Sequence, residues 1–452
     1  MHRPGEPTGL FTDLYHPDAA YVAWRTGRNQ VTTFDLYTRR APFGGAYLLV
    51  AGLAEALEFV ECFAYTEAHL QYLAQVRDYT SDFFDYLRTI RFSGEIAAMP
   101  EGSVAFPNEP LVRVTAPFTE ALLMEAGLLQ AINTATLIAT KAARITTAAG
   151  ARRVAEFAYR RAHAPFAVAR SAYIGGCVST SFVAAAERYR LPASGTIPHA
   201  LVQLFPDERT AFGAVAETYN RYTILLDTYD ARHAIHTVID VARETRERLG
   251  HTLAAVRLDS GALADDSRYV REALDAAGLT ETRVLASGDL DEHAIALLVA
   301  AGAPIDAFGV GTSLGAPSEA LGGVYKAVWT VEEGAAGEGR AMLKLAGEKS
   351  TWPGIKEVYR AGRYQEDVIQ LAGEPAPDGA RRMLRPVVHD GRILPGSLPP
   401  LSEIRELAQH NLEALPEEWR ALAPKRAYPV RFSAALEALR DQAKEDSHER
   451  ND

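Results

Sequence analysis

The sequence predicts an α/β protein. An irregular parallel α/β barrel spans residues 121–330, an N-terminal α/β domain precedes it over 1–120, and a C-terminal segment over 331–452 partly returns to the N-terminal domain and is mostly helical at its end. Three observations predict this. Short apolar runs at Ala172–Ile174, Ala193–Ile197, Thr223–Asp227, Ala254–Leu258, Thr282–Ala286 and Ile305–Val310 recur roughly every 20–30 residues, the length of one strand–helix unit. Amphipathic stretches lie between them, at Thr180–Tyr189, Phe212–Tyr222, Ala231–Leu249, Asp266–Ala277 and Asp291–Ala301. Glycine and polar residues follow three of the runs in succession: Arg257, Asp259, Ser260 and Gly261; Ser287, Gly288 and Asp289; Gly311, Thr312 and Ser313. In a parallel barrel such strand ends gather at the face where active sites sit.

The remaining elements read as follows. Thr12 or Asp13 would cap a helix beginning near Tyr15. Val31–Arg39 alternates like a strand and Pro42-Phe43-Gly44-Gly45 is a turn. Gly52–Leu87 carries apolar residues at helical spacing, Ala105–Pro110 is a loop and Leu111–Val114 a short strand. Ala121–Ala143 is the longest apolar region, but Glu125, Gln130, Asn133 and Lys141 interrupt it, so it reads as a buried helix and not a membrane span. Gly334–Gly339 looks like a hairpin connection, and Lys349–Lys356 returns to ordered chain. Pro386–Leu398 suggests short strands. Leu401–Leu422 and Ser433–Ala443 read as helices, with Glu445–Asp452 frayed.

With 452 residues the chain has room for two or three domains. A net charge of −11 argues against a general nucleic-acid or acidic-membrane surface. It leaves room for an anionic substrate in an arginine-lined cleft. Two cysteines, Cys62 and Cys177, make neither a disulfide framework nor a cysteine-based zinc site, so the reduced cytoplasm is the expected compartment. The N-terminus lacks an apolar stretch of signal-peptide length.

The reaction centre is expected in Phe157–Gln203, which holds Arg160-Arg161, Gly175-Gly176 and Gly195-Thr196-Ile197-Pro198-His199. Guanidinium groups at Arg39, Arg160, Arg161 and Arg257 fork onto carboxylate or phosphate, and the Gly309–Thr312 turn offers backbone amides. No phosphate-loop motif of nucleotide hydrolases occurs. Asp227, Asp259 and Asp289 stand at strand ends, where they either bind hydroxyls and hydrated Mg²⁺ or cap the next helices. His199 is either a proton or phosphoryl acceptor or a structural histidine. Tyr15 and Phe157 are rings that either stack on a flat heterocycle or belong to the core.

Read in order, these motifs resemble the nicotinate phosphoribosyltransferase family along nearly the whole chain. They are Thr12–Tyr15, Phe34–Arg39, Pro42–Gly45, Arg160-Arg161, Tyr173–Gly176, Gly195-Thr196, His199, Arg257–Gly261, Ser287–Asp289, Gly309–Leu314, Leu321–Lys326 and Pro353–Lys356. The resemblance implies condensation of nicotinate with phosphoribosyl pyrophosphate to nicotinate mononucleotide and pyrophosphate. It also implies Mg²⁺ as cofactor and ATP as co-substrate, coupled through phosphorylated His199. It implies a homodimer with shared active sites, without nucleic-acid or membrane partners. Tyr15 of the neighbouring subunit and Phe157 would sandwich the pyridine ring. Arg160, Thr196 and Arg257 would surround nicotinate and the reacting ribose, with His199, Arg160, Arg257 and Asp259 as the catalytic set. Arg39, Asp259, Gly288, Asp289, Gly311 and Thr312 would hold the phosphoribosyl and phosphate groups, with Mg²⁺ near Asp259 and Asp289. The chain departs from the family's usual pattern at Ala158, Val178–Phe182, Pro198, Ala200 and Ala262. A nicotinamide or quinolinate phosphoribosyltransferase, or a non-catalytic nucleotide-binding relative, are the competing readings. Ser181 stands where the nicotinamide enzyme would place a carboxylate, which favours the acid.

Overall fold

The computed structural model describes residues 5–331, 339–345 and 351–449. The expected Gly-rich connection, apart from Gly339, lies outside them, as do Lys349 and Ser350. The chain divides into two compact units: Met1–Thr140 together with Glu319–Asp452, and Lys141–Ser318. The second interrupts the first in sequence. Glu319 onward therefore shares a unit with the first 140 residues, and the segment taken from sequence as the barrel, 121–330, overruns the inserted unit at both ends.

The discontinuous unit is built on a seven-stranded antiparallel sheet. Its order is 339–341, 323–331, 31–38, 112–117, 95–98, 385–389 and 392–393. The alternation of Val31–Thr38 predicts one buried face, yet every residue from Thr32 to Thr38 is buried. Both faces of the strand are covered. The Phe34 ring packs on Phe118 and Tyr325, while Asp35 is sealed against Lys356. The apolar stretch 52–87 is three helices, Leu53–Glu61, Glu67–Val76 and Ser81–Thr89. The helix Tyr15–Arg25 is not capped by Thr12 or Asp13 side chains: Leu14 occupies the cap position. The Thr12 hydroxyl is taken instead by Nδ1 of the fully buried His16, at 3.0 Å. The expected helix 401–422 breaks into Leu401–Ala414 and Glu417–Arg420, because Pro416 has no N–H to continue it. The last helix, Ala434–Glu449, takes in residues expected to fray.

A four-stranded sheet, ordered 381–382, 356–361, 366–371 and 430–432, completes this unit. A buried ionic seam joins the two sheets. Lys356 Nζ lies 2.8 Å from Asp35 Oδ2 and donates to the carbonyls of Trp352 and Gly354, so all three of its protons are used. Arg113 bonds the Lys356 carbonyl and pairs with Glu357 at 3.0 Å, and Arg382 grips Glu357 from the other side. Burial lowers the Lys356 ammonium from its ordinary range and the Asp35 charge opposes that shift.

The expected helix 121–143 is observed as Phe118–Leu123 and Glu125–Ala149. By length and composition it could cross a membrane, but 61% of its most apolar window is buried within the protein. Near its C-terminal end Lys141 and Arg144 both pair with buried Glu292, at 2.5 and 3.0 Å.

The inserted unit carries six parallel strands, β1 (Arg153–Glu156), β2 (Ser179–Thr180), β3 (Arg221–Leu225), β4 (Thr252–Leu258), β5 (Arg283–Ala286) and β6 (Ala307–Val310), in the order β2-β1-β6-β5-β4-β3. Its main helices are α1 (Pro165–Ile174), α2 (Val183–Tyr189), α3 (His199–Leu204), α4 (Glu208–Thr218), α5 (Ala231–Leu249), α6 (Leu263–Ala276) and α7 (Glu292–Ala300). Four of the six expected strands are present. Ala172–Ile174 is instead the end of α1, and of 193–197 only Ala193 makes a single bridge, to Thr180. β1 and β2 take their places. Edge strands β2 and β3 do not pair among the described residues, and of the expected irregular barrel a parallel half-barrel sheet is observed. Val256, Leu258 and Val284 from the sheet meet Phe212, Ile235 and Leu274 from α4, α5 and α6 in its core.

Lys356→Met should strand the Asp35 carboxylate in the interior and cost about 3–5 kcal/mol in urea unfolding. Adding Asp35→Asn to that variant should return most of the loss.

Candidate active site

The loops after β4 and β5 and the segment before α3 converge on one side chain, Arg257. Its Nε donates to Ser287 Oγ at 2.7 Å, Nη1 to Thr196 Oγ1 at 2.6 Å and Nη2 to Asp259 Oδ1 at 2.5 Å. The guanidinium carbon stands 5.9 Å from the centroid of the Phe157 ring. A planar fork of donors suits this work, because it fixes three acceptors from three loops in one plane. The Ser287 hydroxyl donates in turn to Asp259 Oδ1 at 2.5 Å.

Asp259 is therefore held from several sides. Its backbone N–H donates to Asp227 Oδ2 at 2.8 Å, and the Ser260 hydroxyl reaches the same oxygen at 2.6 Å. Burial alone would raise the Asp259 carboxyl. The Ser287 hydrogen bond, the charge and hydrogen bond of Arg257 and the nearby His199 reverse this and leave it below the ordinary carboxylate range. Asp259 Oδ2 lies 3.8 Å from His199 Nε2. The other Asp227 oxygen, Oδ1, is buried and has no hydrogen-bond partner among the described residues.

None of the three strand-end aspartates caps a helix through its side chain. Asp230 caps α5 and Asp291 caps α7, while Ala262 precedes α6 without a side-chain bond. That frees Asp227, Asp259 and Asp289 for the site. His199 opens α3 behind Pro198. Its side chain is 41% exposed, and Nδ1 lies 3.2 Å from the Thr228 hydroxyl.

Two glycines are required by close approach. Gly288 has φ +93°, and a Cβ there would lie 1.8 Å from the Asp259 carbonyl oxygen. At Gly309 a Cβ would lie 2.5 Å from the Phe157 ring, so glycine lets that ring lie flat on β6. Phe157 N–H donates to the Val310 carbonyl at 2.7 Å. Asp289 follows with φ +45° and an exposed carboxylate. Gly311 and the exposed Thr312 begin a single turn after β6.

Phe157, Thr196, His199, Arg257, Asp259 and Gly288 are thus linked by direct contacts. Arg160 is exposed on the turn after β1. Tyr15 and Arg39 belong to the discontinuous unit. There the Tyr15 ring is 54% exposed and sits 3.9 Å from the His16 ring. Its hydroxyl is pushed up to about 12 by burial and by the charges of Glu125 and Asp13. Arg39 lies over the Tyr37 ring.

Two residues beside the site escape a motif reading. Thr228 passes for a turn residue until its partner His199 is seen. Glu156 hides in the apolar run of β1; a carboxylate closing a buried strand beside Phe157 was the available signal. Cys62 and Cys177 form no disulfide. A surface group of Glu95, His389 and Asp390, in the other unit, is the one metal-ligand cluster found among the described residues.

Residues 10–133 match the family model described as the nicotinate phosphoribosyltransferase N-terminal domain. The nicotinate phosphoribosyltransferase of Bacillus subtilis is 41% identical, over 94% of this chain and 92% of its own length. The nicotinate phosphoribosyltransferase pncB2 of Mycobacterium tuberculosis is 39% identical, over 94% of this chain and 91% of its own. The crystal structure of human nicotinic acid phosphoribosyltransferase superposes with a TM-score of 0.84 at 31% identity, covering 95% of this chain and 99% of that one. With relatives this similar over almost all of its length, the chain belongs to the nicotinate phosphoribosyltransferase family.

Proposed function

We propose that the protein condenses nicotinate with phosphoribosyl pyrophosphate, giving nicotinate mononucleotide and pyrophosphate for NAD biosynthesis. The observation that carries this is the Arg257 hub, in which Phe157, Thr196, Ser287 and Asp259 are bound to one guanidinium with His199 beside it. In this reaction the bond from ribose C1 to pyrophosphate breaks as the pyridine nitrogen attacks. The sugar develops cationic character and the leaving group gathers negative charge. Arg257 and Arg160 meet the anionic parts, and the ionised Asp259 tolerates the sugar's positive charge. The Phe157 ring offers a flat face on which the pyridine can be aligned for attack. Ser181, whose hydroxyl has no hydrogen-bond partner among the described residues, presents no carboxylate to repel nicotinate.

Phosphates would lie along Gly288, Asp289, Gly311 and Thr312, with Arg39 of a neighbouring subunit as a further cation. Mg²⁺ takes oxygen ligands and retains its waters. Asp289 and the Asp259 oxygen not used by Arg257 and Ser287 fit such an ion, which when bound would neutralise pyrophosphate charge. His199 is exposed enough to receive the γ-phosphoryl group of ATP on an imidazole nitrogen, with Thr228 and Asp259 orienting the ring. The assembly we favour is a cytoplasmic homodimer in which Tyr15 of one subunit covers the site of the other. The half-barrel would be one arc of an irregular α/β barrel.

Purified protein with Mg²⁺ should form nicotinate mononucleotide from nicotinate and turn over nicotinamide and quinolinate far more slowly. Side-by-side product assays with and without ATP check this, and preference for nicotinamide would reject the role given to Ser181. His199→Ala should lose ATP stimulation while keeping a basal, ATP-independent rate. Coupling that survives the substitution would remove His199 as the phosphoryl acceptor.

A further inference from the structure

Glu156 closes β1 one residue before Phe157 and is 2% exposed. Among the described residues no cation pairs with it. One carboxylate oxygen accepts from the Ala158 backbone N–H and the other from the Thr180 hydroxyl. The Glu156 carbonyl accepts from Ser181 N–H at 2.9 Å. Thr180 is itself buried, and its hydroxyl oxygen accepts from Phe182 N–H at 3.0 Å. A second tie lies nearer the surface: the Tyr159 and Phe182 rings stack at 4.1 Å and 12°, and Phe182 packs on Phe166.

Two chain segments are thus fastened together, the turn 157–160 and the strand end 180–182. The first carries Phe157 and Arg160, and the second carries Ser181. A buried carboxylate without a counter-ion is an expensive fastening. An apolar pair would hold two segments together at less cost but would leave their direction loose. Here both oxygens are aimed, one at each segment, so the carboxylate fixes orientation as well as proximity. The stacked Tyr159–Phe182 pair joins the same two segments a second time.

We propose that Glu156 is a positioning residue for the pyridine substrate. By binding Ala158 N–H and the Thr180 hydroxyl together, it sets where the Phe157 ring and the Arg160 guanidinium meet the substrate ring and its carboxylate. The inference rests on the reading of this site as a nicotinate site. Glu156 touches no substrate atom itself, so it acts on binding more than on bond breaking.

The test uses the full chain, with Glu156→Gln, Thr180→Val and the conservative Thr180→Ser. Steady-state kinetics are measured in each substrate, with melting temperature alongside. Thr180→Val and Glu156→Gln should raise the KM for nicotinate by about tenfold, the size expected when one buried acceptor loses its donor. Their KM for phosphoribosyl pyrophosphate and kcat should stay within about twofold, and Thr180→Ser should match the parent. An unchanged nicotinate KM in both variants overturns the proposal. So does a loss in which both KM values, kcat and melting temperature move together, since a merely structural role gives that pattern. A parent chain that does not turn over nicotinate overturns the functional reading and this inference with it, whereas an active parent with unaltered variants overturns this inference alone.

Discussion

The inserted unit depends most on the three-way grip of one guanidinium. Strands β4 and β5 pair side by side, whereas the segment holding Thr196 is not a strand: it is tied to β2 by the bonds of Thr180 N–H to the Pro192 carbonyl and of Ser194 N–H to the Thr180 carbonyl. Beyond that bridge, Arg257 reaches Thr196 and ties the segment to β4. The same group fixes Ser287 and Asp259, and Asp259 in turn faces the histidine. Such a cluster is fully engaged or it fails, because each donor lost leaves a partly buried acceptor without a partner. It also accounts for Gly288, since the loop after β5 must press against the Asp259 carbonyl to bring Ser287 within reach.

Much of this was legible in the chain. The helix Ala231–Leu249 and the strands around Thr223, Ala254, Val284 and Phe308 follow from periodicity alone, as local pattern and tertiary environment agree there. The misreadings share one physical cause. Ala172–Ile174 and Ala193–Ile197 are short apolar runs, which periodicity cannot assign to helix, strand or buried coil. β2 has only two residues, Ser179 and Thr180, and is a strand because Glu156 and Ala155 lie beside it. No property of its own sequence says so. The site was readable as a set of residue types, arginine, aspartate and histidine after apolar runs. Which of them touch was not, because Thr196, Ser287 and Thr228 are common turn residues whose importance lies in their partners.

The discontinuous unit uses charge differently. The Asp35–Lys356 pair and the Arg113–Glu357–Arg382 triad form one chain that crosses from one sheet to the other, joined where Arg113 bonds the Lys356 carbonyl. Apart from Arg382, its members have little exposure, so it gives specificity of pairing more than net stability: a wrong register would leave a charge uncompensated in the interior. The site cluster around Arg257 faces solvent at His199 and Asp289, and its unsatisfied capacity is directed at a ligand. One ionic network is closed and the other is open.

The strand Val31–Thr38 has a further consequence, for the order in which the protein can be made. One of its neighbours is the strand 323–331, and the Thr32 and Thr330 hydroxyls that meet across that ladder are 298 positions apart. On a ribosome the first strand emerges long before its neighbour exists. All six strands of the inserted unit are synthesised in the interval, and even its most distant pairing, β1 with β6, spans roughly half that separation. Non-local pairing is slow and leaves strand edges open while it waits. The nascent chain must therefore carry an unfinished sheet edge, with Asp35 lacking its lysine, through the synthesis of the entire inserted unit.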